Sequence, residues 1–402
     1  MQTHLAELLR DNEQGQEAEQ ILRSCVHCGF CNATCPTYQL LGDELDGPRG
    51  RIYLIKQMLE GSPATRKTQL HLDRCLTCRS CETTCPSGVR YGRLLDIGRS
   101  MLEANVERKL LDRLMRKSLR LILPFSGRVL SLIKIGRKLL PLMPSFLKRK
   151  VPERKETSEQ WPQPHHLRKM LSLNGCVQTA LAPQIDLAAA RVLDSVGISL
   201  VRASRGGCCG ALSYHLSQPD EALDFVRRNI DAWWPWIESG IEAILISASG
   251  CGVMVKDYGD LLKNEPDYAE KARRVSMLAK DIAEVLSFQD RSAIKSNHEG
   301  RVAFHSPCTL QHGQKINGTV EKILLDAGFT LCAVENPHLC CGSAGTYSIL
   351  QKTLSERLLA EKVKTLEKEQ PELIATANIG CLLAIQSATG ISVKHWIELL
   401  VD

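Results

Sequence analysis

Eight of the chain's seventeen cysteines form two copies of one spacing, Cys25, Cys28, Cys31 and Cys35 before Pro36, and Cys75, Cys78, Cys81 and Cys85 before Pro86. The copies stand fifty residues apart. Three thiolates at this close spacing can wrap a small inorganic group. The run C-x2-C-x2-C-x3-C-P holds cubane [4Fe–4S] clusters in bacterial two-cluster proteins, the last cysteine of each run reaching the other cluster. The expected sets are therefore Cys25, Cys28, Cys31 and Cys85 on one cluster, and Cys75, Cys78, Cys81 and Cys35 on its neighbour. A structural zinc site is the competing chemistry, because C-x2-C pairs bind zinc too. Zinc takes four ligands per site and gives the x3-Cys-Pro extension no purpose. The first hundred residues read as an electron relay.

Residues around the motifs invite two readings each. His27 and Gly29 either tune the first cluster or simply permit the path of the loop. Arg74 and Arg79 bracket the second motif, and would raise a cluster's potential if close to it or else be solvated. The Asp, Glu and Lys scattered through the rest of the chain offer no acid–base constellation, so no catalytic residue is assigned.

The other informative feature is an internal repeat. Cys176 precedes Cys308 by 132 residues, Cys208-Cys209 precede Cys340-Cys341 by 132, and Cys251 precedes Cys381 by 130. Three coincident offsets mark a tandem duplication. Each copy therefore brings four thiols, Cys176, Cys208, Cys209 and Cys251 in the first and Cys308, Cys340, Cys341 and Cys381 in the second, as candidate metal, cluster or redox sites. A lone cysteine would be read as a small hydrophobe; eight matched across a duplication argue for ligation. The glycine after each Cys-Cys suits a sharp turn or a close backbone approach. Cys332 has no counterpart, since Leu200 takes the corresponding place, and is expected inside a strand as a structural residue. His305 and His312 flank Cys308 and could add nitrogen donors, although each alone is more often an ordinary hydrogen-bonding histidine.

The elements that must position these thiols follow from periodicity. Strands are expected at 169–174 and 301–305, each running into the first cysteine of its copy. Helices are expected at 185–196 and 315–327, ending at Gly197 and Gly328. Strands 198–201 and 330–334 come next, then helices 219–238 and 353–369, then strands 243–247 and 373–376. Alternating β and α predicts parallel sheets with helices on their faces, and such sheets place ligands beyond the carboxyl ends of their strands. The expected architecture is multidomain. A mostly helical tandem [4Fe–4S] ferredoxin-type domain (1–100) is followed by a basic amphipathic helical connector (101–166) and two repeated α/β cysteine-rich modules (167–298 and 299–402).

At 402 residues, 44% apolar and 24% charged, the chain can build two or three ordinary cores. Free thiolates fit a reducing compartment, the first residues lack a signal-peptide pattern, and no stretch is apolar enough to span a bilayer. The expectation is a cytoplasmic protein with at most peripheral membrane contact. The net charge of +6 is uneven, because residues 99–155 carry sixteen Lys/Arg against four Asp/Glu. This basic stretch interleaves with Leu110, Leu111, Leu114, Met115, Leu119, Leu121, Ile122 and Leu123, then Leu130, Leu132, Ile133, Ile135, Leu139 and Leu140, and is broken by Pro124, Pro141, Pro144 and Pro152. Such a segment either lies on an anionic membrane surface or packs on a neighbouring domain. Without interleaved aromatics or a recognition motif, nucleic acid is not an expected partner.

Several strings carry a family resemblance: 43–51 (DELDGPRGR), 306–312 (SPCTLQH), 339–347 (LCCGSAGTY) and 376–381 (TANIGC). With the tandem motif and the Cys-Cys-Gly modules, essentially the whole chain resembles the iron–sulfur subunits of bacterial glycolate oxidase. The same architecture occurs in the small subunit of anaerobic glycerol-3-phosphate dehydrogenase, in lactate-utilisation iron–sulfur proteins and in the disulfide-cleaving subunits of heterodisulfide reductase. The resemblance implies a subunit that is not itself catalytic. FAD-containing partners would oxidise glycolate to glyoxylate, and this chain would pass electrons from flavin towards quinone at the cytoplasmic side of the inner membrane. The absence of a glycine-rich dinucleotide fingerprint is compatible. Heterodisulfide reductase-type modules carry a fifth cysteine three residues before the last; here Ala248 and Asn378 stand there. Four thiols per module could hold a further iron–sulfur cluster or zinc, and the missing fifth counts against disulfide cleavage.

Overall fold

The computed structural model describes residues 1–139, 160–292, 294–295 and 300–401. Most of the basic run 134–155, with Leu140, Pro141, Pro144 and Pro152, lies outside the described residues.

Residues 1–139 form helices and turns, with no strand among them. Asn12 caps the helix Glu13–Ser24 by accepting from the Gly15 amide, and the helix buries Ala18, Ile21 and Leu22. Pro48 opens the helix Pro48–Leu59, which presents Ile52, Ile55, Met58 and Leu59 inward. The helix Tyr91–Asn105 answers with Leu94, Leu95, Ile97 and Leu102. These side chains share one apolar core with Cys25, Cys75 and Cys81. Two of the helices touch at Gly98, where a Cβ would sit 2.7 Å from Ile55 Cγ1.

The rest of the chain builds two sheets from eight parallel strands, β1 (Arg168–Ser172), β2 (Ile198–Arg202), β3 (Ile244–Ile246), β4 (Ala279–Asp281), β5 (Arg301–His305), β6 (Thr330–Leu331), β7 (Leu373–Thr376) and β8 (Ser392–His395). Their spatial orders are β2-β1-β3-β4 and β6-β5-β7-β8, the same topology twice. Register pairs Arg168 with Ile198 in the first sheet and Ala303 with Ile374 in the second. Parallel neighbours require crossover connections, which the helices Pro183–Ser195, Pro219–Glu238, Thr319–Asp326 and Lys352–Glu367 supply. One apolar core crosses between the repeats, joining Ile185, Leu193 and Leu200 to Phe304, Leu310 and Trp396.

Three details differ from the sequence expectation. The fourth strand of each sheet, β4 and β8, carries too short an apolar run to announce itself. The helix expected from residue 315 starts at Thr319, because Gly318 takes a left-handed φ of 71° as its N-cap. Cys332 stands just beyond β6 rather than inside a strand. Its amide still donates to Val302 O at 2.9 Å, and its side chain joins the buried cluster of Cys341 and Cys381.

The described part of the connector turns part of its charge inward. Arg108 bridges Asp73, Glu103 and Asp112, Arg116 bridges Asp73 and Asp112, and Arg120 pairs with Glu221 of the first repeat. Phe125 meets Phe225 edge-on at 5.9 Å between ring centres. The helix Leu110–Ile122 leaves its leucines outward, Leu111 being 79% exposed.

Candidate metal centres

The two cysteine motifs fold alike. Cys25 caps the end of one helix and Cys75 follows the Arg74 cap of another, and the residues two and four further on adopt left-handed backbone: His27 (φ 59°) and Gly29 (φ 88°), then Thr77 (φ 53°) and Arg79 (φ 58°). That loop path is what His27 and Gly29 share with the second motif, and three of the four positions hold it without the freedom of glycine. A helical turn follows, Phe30–Ala33 or Ser80–Thr84, carrying Cys31 or Cys81. Cys35 and Cys85 come next, before prolines.

Thiols from both motifs meet. Cys25, Cys28, Cys31 and Cys85 line one opening, with Cys81, Arg49, Val89 and Tyr91 on its wall. Burial, then the neighbouring Cys25 and Cys85 thiols, push Cys31 up to about 11. Burial raises Cys78 and Cys81 well above the usual thiol range; Cys308, Cys35 and Cys75 add to it at Cys78, and Cys78, Cys75, Glu82 and Cys35 at Cys81. The fourth cysteine of each motif thus sits with the first three of the other. All seventeen cysteines are free thiols. Such four-thiol sets, one open to solvent at Cys28 and one enclosed, fit the donor requirement of cubane clusters.

Around the enclosed set the protein supplies hydrogen bonds and charge. Tyr91 Oη donates to Cys75 Sγ at 3.6 Å and the Thr77 amide to the same sulfur at 3.4 Å. Arg99 holds the Leu72 and Cys75 carbonyls at 2.8 and 2.9 Å. The buried Arg51 guanidinium lies 4.0 Å from Cys35 Sγ and pairs with Asp46 at 3.5 Å. Asp46 also accepts from Arg74 at 2.7 Å and faces His71 Nδ1 at 3.0 Å. Arg79 instead reaches Asp257 of the first repeat at 2.6 Å. Neither arginine bracketing the second motif is simply solvated.

In the repeats every matched cysteine follows a strand end. Gly210 and Gly342, after the Cys-Cys pairs, take φ of 90° and 80°, and a Cβ on either would press on the carbonyl of Ala222 (2.9 Å) or Ser355 (2.7 Å). In the first repeat Cys176 contacts Cys208, Cys208 contacts Cys209, and Cys209 contacts Cys251. In the second, Cys308 and Cys340 sulfurs are 3.8 Å apart and those of Cys341 and Cys381 3.2 Å. His305 joins the latter pair, its donor nitrogen and the two sulfurs lying within 4.8 Å of one another. Asn378 Nδ2 donates to Cys381 Sγ at 3.7 Å. His312 is differently placed: Nε2 donates to the His338 carbonyl at 3.1 Å and Nδ1 shares a hydrogen bond with Thr83 at 2.9 Å. The second repeat also abuts the enclosed thiol set. Cys78 packs against the apolar cluster that contains Cys308 and Cys340.

Comparison with known proteins agrees with this layout. A 4Fe-4S dicluster domain model matches residues 21–89, and a cysteine-rich domain model matches 170–256 and 302–386. The chain is 54% identical to the glycolate oxidase iron-sulfur subunit of Escherichia coli, over 100% of this chain and 98% of the relative. The chain belongs to the glycolate oxidase iron–sulfur subunit family. A probable glycolate oxidase iron-sulfur subunit of Bacillus subtilis is 29% identical, covering 95% of this chain and 94% of the relative. The crystal structure of a hypothetical protein from Helicobacter pylori shares the fold alone, with TM-score 0.55 and 9% identity over 97% of this chain and 72% of that one.

For a glycolate oxidase iron–sulfur subunit homologue, some of the groups nearest the thiols escaped sequence reasoning. Lys362 is buried within electrostatic reach of Cys308, Cys340, Cys341 and Cys381 and donates to Asn336 O at 3.0 Å. Its signal was legible, a lysine interrupting the buried i, i+4 series Leu354, Leu358 and Leu366. Tyr91 had no comparable mark, and Asp46 and Arg51 stood out only as members of the 43–51 string; only folding brings them to the sulfurs.

Proposed function

We propose that this chain is the electron-carrying subunit of a complex in which FAD-containing partners oxidise glycolate to glyoxylate, and that it hands the electrons towards a quinone. The reading rests on the family and on one geometric relationship, the succession of three thiol sets from surface to interior. Cys25, Cys28, Cys31 and Cys85 form the outermost, and their loop offers Val26 (68% exposed) and Phe30 (62% exposed) to a partner. Cys75, Cys78, Cys81 and Cys35 form the next, walled by Tyr91, Arg51 and Leu76. Cys308, Cys340, Cys341 and Cys381 adjoin it. When bound at these sites, iron–sulfur clusters supply one-electron relay. The residues' own share is to hold the groups by crossed thiolates, exclude water from the inner sets and bias them with Arg51 and the Tyr91 hydroxyl. The proposed layout keeps the cluster domain at 1–100, the connector at 101–166 and the modules at 167–298 and 299–402.

No helix among the described residues is long and apolar enough to cross a membrane. The exposed Leu110, Leu111 and Leu114, within the basic connector, support peripheral contact with the cytoplasmic face of the inner membrane. The experiment is Cys28→Ser in the assembled complex. Glycolate-dependent quinone reduction should be abolished while the flavin partners still reduce a small dye; normal quinone reduction would refute the relay.

A further inference from the structure

We propose that His305, through Nε2, is a nitrogen ligand of an iron–sulfur cluster held by Cys308, Cys340, Cys341 and Cys381. The inference rests on the reading of the second repeat as a metal-binding module and adds a fifth, non-cysteine donor to it.

Three observations carry it. The first is an orphaned atom. His305 closes β5 at 1% exposure, and its Nε2 has no hydrogen-bond partner among the described residues. A buried polar atom left unpaired costs about 1–3 kcal/mol. The other deeply buried histidines avoid that cost. His71 faces Asp46; His395 engages the Ser247 carbonyl through Nε2 at 3.0 Å and accepts from the Ile397 amide through Nδ1 at 3.3 Å. The second is convergence: the same imidazole shares a 4.8 Å neighbourhood with the Cys341 and Cys381 sulfurs.

The third is the contrast between the repeats. Around the second set stand His305, Lys362 and Asn378; the equivalent positions of the first repeat hold Leu173, Asn229 and Ala248. Leu173 lies in the same apolar cluster as Cys209, and the Asn229 amide donates to the Cys208 carbonyl at 2.9 Å. Duplication thus produced one site with an imidazole and an amine beside its thiols, and one where hydrocarbon and an amide bonded to backbone stand at those positions. Buried thiolates need a compensating charge, and the buried Lys362 amine, bonded to the Asn336 carbonyl at 3.0 Å, lies within electrostatic reach of the four sulfurs of the second repeat. Five donors exceed the four of a tetrahedral zinc site, and thiolate with imidazole is an established ligand mixture for iron–sulfur centres.

The test uses the full chain, purified anaerobically and reconstituted with iron and sulfide. Iron, zinc and acid-labile sulfide are measured with pulsed electron paramagnetic resonance of wild type, His305→Ala, His305→Cys and Cys341→Ser. Wild type should hold iron beyond the about eight atoms of two cubanes. It should also show a histidine nitrogen coupling that changes on 15N-histidine labelling. His305→Ala should lose at least half of the extra iron, and His305→Cys should keep it without the coupling. If His305→Ala fails to fold, seen as loss of the cubane signals, the labelled wild type and His305→Cys decide. No extra iron, zinc in its place, or extra iron lost in Cys341→Ser but retained without nitrogen coupling in wild type would each overturn the assignment. Cubane signals reduced by glycolate through the partners, in those same cases, would leave the relay reading standing.

Discussion

His312 Nδ1 lies 2.9 Å from the Thr83 hydroxyl, a contact across 229 residues of sequence. Thr83 sits between two cysteines of the second motif, and His312 four residues beyond Cys308. With the Tyr347 hydroxyl donating to the Arg74 carbonyl at 3.2 Å, this bond holds the second repeat against the enclosed thiol set. Its neighbours Arg79–Asp257 (2.6 Å) and Arg90–Asp260 (2.6 Å) do the same for the first repeat.

Replacing His312 by Phe leaves the Thr83 hydroxyl and the His338 carbonyl without this partner, at a cost of about 1–3 kcal/mol. Hydrogen exchange should quicken in the segments 80–84 and 309–313 and stay unchanged in Glu13–Ser24. Equal protection in both variants would show that the contact carries no energy.

Crossed ligation makes a pairwise prediction about spectra. Cys85→Ser should alter the same resonance signal as Cys28→Ser, and Cys35→Ser the same one as Cys78→Ser. Each variant should lose up to about four irons per chain, the content of one cubane. If Cys35→Ser tracked Cys28→Ser, each motif would be closing on its own cluster.

The Tyr91 hydroxyl donates to Cys75 Sγ at 3.6 Å. Hydrogen bonds to cluster sulfur stabilise the reduced, more negative state, so Tyr91→Phe should lower the midpoint of the enclosed cluster by on the order of tens of mV. Potentiometric titration followed by resonance spectroscopy resolves the two clusters. A shift confined to the exposed cluster would contradict the assignment of Tyr91 to the enclosed one.

How much of this was readable beforehand depends on the range of each interaction. Local signals served well: Arg301–His305, Pro219–Glu238 and Leu373–Thr376 stand where apolar periodicity put them. β4 and β8 escaped because three or four residues at a sheet edge need not repeat any pattern. The cysteines were legible because ligation imposes spacing. Asp46, Arg51 and Tyr91 were not, since their closeness to Cys35 and Cys75 is created by packing among helices. The connector divided. Its basic residues suggested either a membrane face or a docked linker, and Arg108, Arg116 and Arg120 prove to be spent on internal acids while the leucines face out.

Those leucines carry the membrane prediction. Leu110→Ser, Leu111→Ser and Leu114→Ser together should weaken binding to anionic vesicles by tenfold or more, since each fully buried leucine is worth about 1.5–3 kcal/mol. Co-sedimentation at two salt concentrations separates this from the charge contribution. Undiminished binding would show that these leucines are not the anchor.

The central claim is that electrons from glycolate pass through the two crossed thiol sets in order. The direct measurement is rapid-freeze electron paramagnetic resonance of the complex with its flavoprotein partners, mixed with glycolate and then with quinone. The account predicts that the signal lost in Cys28→Ser appears no later than the one lost in Cys78→Ser, and that both are discharged when quinone is added. Flavin reduction by glycolate with both clusters remaining oxidised would contradict it.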